Sequence, residues 1–111
     1  MEEIVDCTER LINRFWMMPD STDFEGGAKV DVVVELEDHL DDPRVLAFFL
    51  SVVADPGEYD LARIECIKIL RLWPPSTATD RQRAGQVIAA VLCADDDYLV
   101  RQYAAMALGP Y

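Results

Sequence analysis

The chain has 111 residues, enough for one domain with its own core. Its 51% of hydrophobic residues excludes a disordered chain, and its net charge of −11 repels nucleic acid and anionic membrane surfaces. The longest apolar run, Val45 to Ala54, is ten residues with Ser51 inside it, far short of the ~20 that a membrane span needs.

The first helix is predicted over residues 2–17. Ile4, Cys7, Leu11 and Phe15 follow helical spacing, and Glu2, Glu3 and Asp6 suit the positive end of its dipole. This acidic start is unlike a signal peptide, which begins basic. Pro19 ends the helix, and a long loop containing Phe24 leads to Gly26-Gly27. The second helix is predicted over 28–41, with Val33, Leu36 and Leu40 as its apolar stripe. On one continuous helix, Asp31, Glu35, Asp38 and Asp42 would share a face, because they step by four, three and four. Like charges one turn apart oppose the helix, which marks this face as a candidate functional surface.

Asp42-Pro43 starts a third helix over 43–54, with Asp as cap and Pro in the first turn. It is apolar nearly all round and therefore central. A fourth helix over 58–73 carries Tyr59, Ala62, Cys66, Ile69 and Trp73 on one face. Asp80 is expected to cap a fifth over 81–94, and Asp97 a sixth over 97–108, which Gly109-Pro110 closes. The expected core includes Phe49, Ala62, Cys66, Ile69, Val87, Val91 and Ala104. Cys7, Cys66 and Cys93 share no metal-ligand spacing. Their odd number and apolar neighbours predict reduced, packed thiols and a cytoplasmic location.

The last two helix pairs repeat. Arg63 and Arg101 are 38 residues apart, as are Leu61 and Leu99, Cys66 and Ala104, and Leu70 and Leu108. Val53-Ala54-Asp55 matches Cys93-Ala94-Asp95 at an offset of 40. Such a spacing indicates a helical repeat array, here a single domain over 1–111 of about six helices as three antiparallel hairpins. The pairing phase in residues 1–42 stays open, because Asp42-Pro43-Arg44-Val45 also reads as the start of a second-position helix. Arg63 and Arg101, with Asp55, Asp60 and Asp95 to Asp97, read as a ladder of charges tying adjacent repeats.

The acidic cap, the Arg one turn later and the small-residue helix resemble the second helix of a HEAT repeat, over residues 43–108. This resemblance implies a HEAT-like α-solenoid. In its size, its net acidity and the run from Phe48 to Leu70, the chain also resembles the small acidic HEAT-like immunity proteins of bacterial toxin systems. That likeness implies a non-enzymatic protein that binds and neutralises one cognate toxin, often a basic nuclease, in the producing cell. Residues 1–60 hold 16 acidic and 4 basic side chains, a balance of −12, against 5 acidic and 6 basic in residues 61–111. An acidic surface of this kind attracts a basic partner.

Asp31, Glu35, Asp38 and Asp42, with the aromatics Trp16 and Phe24, are therefore the expected partner-binding residues of a monomer. No catalytic signature and no cofactor-binding or metal-binding motif occurs. Glu35, Asp38, His39 and Asp42 are the one site-like cluster, and they read as a solvated or partner-facing surface, because no second element brings converging metal ligands. Other readings are an acidic mimic of nucleic acid, a HEAT-like accessory or scaffold subunit, and a metal-dependent enzyme using Glu35, Asp38 and His39.

Overall fold

The computed structural model describes residues 7–18, 27–109 and 111, and among these every regular element is helical. The elements are α1 (Cys7–Met17), α2 (Gly27–Glu35), a single 3-10 turn (Glu37–His39), α3 (Pro43–Ala54), α4 (Asp60–Leu72), α5 (Ala78–Ala94) and α6 (Tyr98–Ala107). Residues 2–6 of the predicted first helix lie outside the described residues, as does Phe24.

Side-chain caps set three of the helix starts. Asp42 accepts from the Arg44 N–H at 2.9 Å and Pro43 follows it into the first turn, as expected. The fifth helix begins three residues earlier than predicted. Thr77, not Asp80, is its cap, and the Thr77 hydroxyl accepts from the Asp80 N–H at 3.1 Å. Asp80 then occupies the first turn, where a carboxylate complements the helix dipole. Asp97 accepts from Leu99 N–H at 2.9 Å and Val100 N–H at 3.2 Å. Asp97→Ala should therefore cost about 1 kcal/mol and lower the unfolding midpoint by roughly 4–8 °C. Circular dichroism melts would check this, and an unchanged midpoint would mean that packing alone starts α6.

The helices form two layers. α1 packs on α3 and α3 on α5, while α2 packs on α4 and α4 on α6. Between the layers α1 meets α2, α3 meets α4 and α5 meets α6, which settles the pairing phase as three consecutive pairs. The molecule is accordingly a slab, 47 × 36 × 19 Å. α3 touches α1, α4 and α5, and buries Val45, Leu46, Phe48, Phe49, Leu50, Val52 and Val53, as its all-round apolar pattern requires.

Phe49, Ala62, Cys66, Ile69, Val91 and Ala104 are buried as expected. Burial pushes the Cys66 thiol well up, so it stays protonated. Three expectations fail. Val87 is only partly buried, because it lines an open groove between the end of α3 and α5. Cys7 and Cys93 are exposed, so the packed-thiol reading holds for Cys66 alone. Trp73 does not continue the buried face of α4, since the helix ends at Leu72.

Two buried cations tie the pairs together. Lys29, in the first turn of α2 and only 5% exposed, bonds Glu58 in the α3–α4 turn at 2.6 Å and lies 4.8 Å from the centre of the Phe15 ring. Arg63, in the first turn of α4 and 2% exposed, reaches Asp95 in the α5–α6 turn. It also donates to the Val53 carbonyl from Nε at 3.2 Å and Nη2 at 2.8 Å. That carbonyl lies in the last turn of α3, where intrahelical donors have run out. Each cation thus crosses from an even-numbered helix to the turn of the following pair. The turns repeat as well: Asp55 accepts from Gly57 N–H, and Asp95 from Asp97 N–H, both at 2.9 Å. The expected ladder is therefore present with different members. Lys29 and Glu58 form one rung, Arg63 and Asp95 the other, and Arg101 is exposed.

Candidate functional site

The acidic residues between α2 and α3 form a corner instead of a helix face. Asp42 precedes Pro43, and the proline ring disfavours helical dihedrals in the residue before it; Asp42 is extended at φ −81°, ψ 121°. A helix over 28–41 could still have ended just before that extended residue. It ends instead at Glu35, where the Leu36 N–H is shared between the Val32 and Val33 carbonyls, both at 3.1 Å. The chain tightens into the 3-10 turn, with His39 N–H on Leu36 O and Asp42 N–H on His39 O, both at 3.0 Å. The tightening leaves Leu36 fully buried and keeps Leu40 against the core.

The four stripe residues are therefore divided. Asp31 and Glu35 lie one turn apart on α2, Asp38 is in the 3-10 turn and Asp42 caps α3. Asp31, Glu35 and Asp38 are exposed and Asp42 is half-buried. The side-chain hydrogen bond from Arg44 is the main cause that holds the Asp42 carboxyl below the usual carboxylate range, with Nη2 to Oδ2 at 2.7 Å. Asp42 is thus engaged within the fold. Asp31, Glu35, Asp38 and Asp41 have no ion-pair partner among the described residues.

Glu37 has a different role. Its carboxylate accepts from the Trp73 indole N–H at 3.0 Å, which links the corner to the end of α4. Trp73 is 58% exposed because Pro74 ends α4 and turns the chain. The sequence reading missed this pair. The signal was the Trp-Pro-Pro run, where the helix must stop before its periodic face is complete. Trp16, 48% exposed, stands edge-on to Phe15 at 5.2 Å and to Phe48 at 5.3 Å. It borders a surface groove with Ile12, Ala47 and Ser51, and Arg44 pairs with Glu9 at 4.0 Å on the same groove. Trp16 is therefore presented on α1, while the acidic corner is presented between α2 and α3.

Among the described residues no group of three or more His, Cys, Asp or Glu side chains could hold a metal ion, so Glu35, Asp38, His39 and Asp42 do not converge. No described helix is long and apolar enough to cross a membrane. What the corner offers chemically is a set of exposed carboxylates beside an oriented indole. No protein family, no curated protein and no solved structure matches this chain.

Proposed function

We propose that this chain is a non-enzymatic protein-binding module, and that it acts as an immunity protein that binds and neutralises a cognate basic bacterial toxin in the cytoplasm. One observation carries the reading: Asp31, Glu35, Asp38 and Asp41 stand exposed with no ion-pair partner among the described residues, while Lys29 is withdrawn into the core against Glu58. Exposed carboxylates spread over α2 and the corner that follows it make this side of the molecule acidic, and a basic surface complements it. The −12 balance of residues 1–60 adds a long-range attraction that speeds encounter with such a surface. Trp16 supplies an exposed aromatic of the kind enriched at interface hot spots.

The break at Leu36 counts against imitation of nucleic acid, which needs carboxylates at regular spacing along a rod. A scaffold role shares the same surface and differs only in its partner. The test is co-expression with the protein encoded directly upstream. If that protein carries a basic toxic domain, co-expression should restore growth, and the two should copurify as one complex. Growth arrest despite full expression of this chain, with no complex, would refute the reading.

A further inference from the structure

The connector between α4 and α5 runs beside the connector between α2 and α3, and a cleft of about 280 Å³ lies between them. Leu40, the buried Leu46 and Leu70, and the Trp73–Pro74–Pro75 run line it, with Ser76 and Thr77 beside them. Its polar side chains include two carboxylates, Asp41 from the α2–α3 connector and Asp80 from the first turn of α5. This volume is below the roughly 300–1,000 Å³ typical of small-molecule sites, and it suits a single long side chain.

The local sequence builds each wall. The 3-10 turn brings Leu40 and Asp41 to the cleft, and Thr77 fixes the first turn of α5 by accepting from the Asp80 N–H. The bond from Trp73 Nε1 to Glu37 Oε2 ties the indole to the first connector. The Pro75 carbonyl accepts from Arg81 Nε at 3.2 Å, which steadies the second connector. Neither Asp41 nor Asp80 has an ion-pair partner among the described residues.

We infer that this cleft receives an arginine side chain of the protein partner, its aliphatic stem on Leu40, Leu46 and the prolines and its guanidinium between Asp41 and Asp80 against the Trp73 indole. A cleft with apolar walls and carboxylates matches a side chain with an apolar stem and a cationic head. The planar guanidinium stacks on an aromatic face and offers several donors at fixed angles, which an ammonium does not. The inference deepens the reading of the chain as a binder of a basic protein and names the residue type by which it is held.

The test needs no partner. The chain has two tryptophans, so a proton–nitrogen spectrum shows two indole signals, and Trp73→Phe identifies that of Trp73. The full chain is titrated with N-acetyl-arginine amide and, separately, with its uncharged isostere N-acetyl-citrulline amide. Arginine amide should shift the Trp73 signal saturably, with Kd on the order of millimolar for one side chain, and leave the Trp16 signal in place. Citrulline amide should bind roughly tenfold or more weakly, because the hydrogen bonds lose their charge. Asp41→Asn with Asp80→Asn should remove that difference while the rest of the spectrum is unchanged. Equal shifts from both compounds, no saturable shift, or a preference for arginine that survives the double substitution would each overturn the assignment. A chain that captures arginine but fails to neutralise a toxin would sink the immunity reading and leave the cleft standing.

Discussion

Asp95→Ala should lower the midpoint of thermal unfolding by roughly 10–20 °C, a large effect for a single carboxylate. The reason is the position of its partner. Arg63 is 2% exposed, and its charge is met by Asp95 and the Val53 carbonyl. Removing the carboxylate leaves a buried guanidinium with neutral acceptors only, a change that costs about 3–5 kcal/mol when one partner of a buried pair is lost. Part of the loss belongs to the turn, because Asp95 also accepts from the Asp97 N–H. Asp95→Asn keeps an acceptor for that N–H and removes only the charge, so the difference between the two variants separates the turn from the ion pair. Replacing both partners, Arg63→Met with Asp95→Leu, should recover part of the stability, since no buried charge remains while the Val53 carbonyl and the Asp97 N–H lose their partners. Arg101→Ala is the control. The same repeat position is exposed there, and the change should stay within about 0.5 kcal/mol.

The pair also sets a pH dependence. The Arg63 hydrogen bonds are the main cause that lowers the Asp95 carboxyl below its ordinary value. A carboxylate held lower in the folded state than in the unfolded one stabilises the fold above its unfolded pKa of about 4. That contribution disappears as the pH falls through the lowered folded value. Wild type should therefore lose stability below about pH 4, and the Asp95→Ala variant should show a shallower acid limb. Parallel limbs would assign the acid sensitivity to other carboxylates.

How much of this was legible in the sequence depended on whether neighbours in the chain decide the local structure. α3 was readable because an all-apolar helix after Asp-Pro has few alternatives, and its observed bounds match the predicted ones. The link between Arg63 and the Asp95 region was readable because the repeat placed the same residues 38–40 positions apart. Lys29 as a rung was not, since residues 1–42 lack the repeat pattern and an early helical lysine is ordinarily exposed. The acidic stripe looked continuous because helical spacing passes through Leu36 without a sign. Pro43 accounts for the extended Asp42, but the residues at which α2 ends carry no helix breaker. Trp73 matched the buried periodicity of α4 in spacing, yet Pro74 stops the helix before the indole can join that face. Leu61 and Leu72 are exposed for a tertiary reason: among the described residues no third layer covers their side of α4.

The second large effect is on binding. Asp31→Asn, Glu35→Gln and Asp38→Asn together remove three exposed carboxylates, while Asp42 is left in place to cap α3 and hold Arg44. None of the three makes a hydrogen bond or ion pair within the described structure, so the fold should persist. Stability should rise by a few tenths of a kcal/mol at most, because only Asp31 and Glu35 are a helical turn apart. Charges at the rim of an interface act mainly through encounter, so the association rate carries the effect. With three charges gone it should fall roughly 3–10-fold at low salt, and dissociation should change much less.

The most direct test of the central claim, that the acidic corner meets a basic partner, is the association rate of wild type and this triple variant with whichever basic protein copurifies with this chain, each at low and at moderate salt. The wild-type rate should fall steeply as salt rises and approach that of the variant, whose own salt dependence should be flatter. Identical rates for the two proteins at both salts would contradict the account and leave the corner a solvated surface.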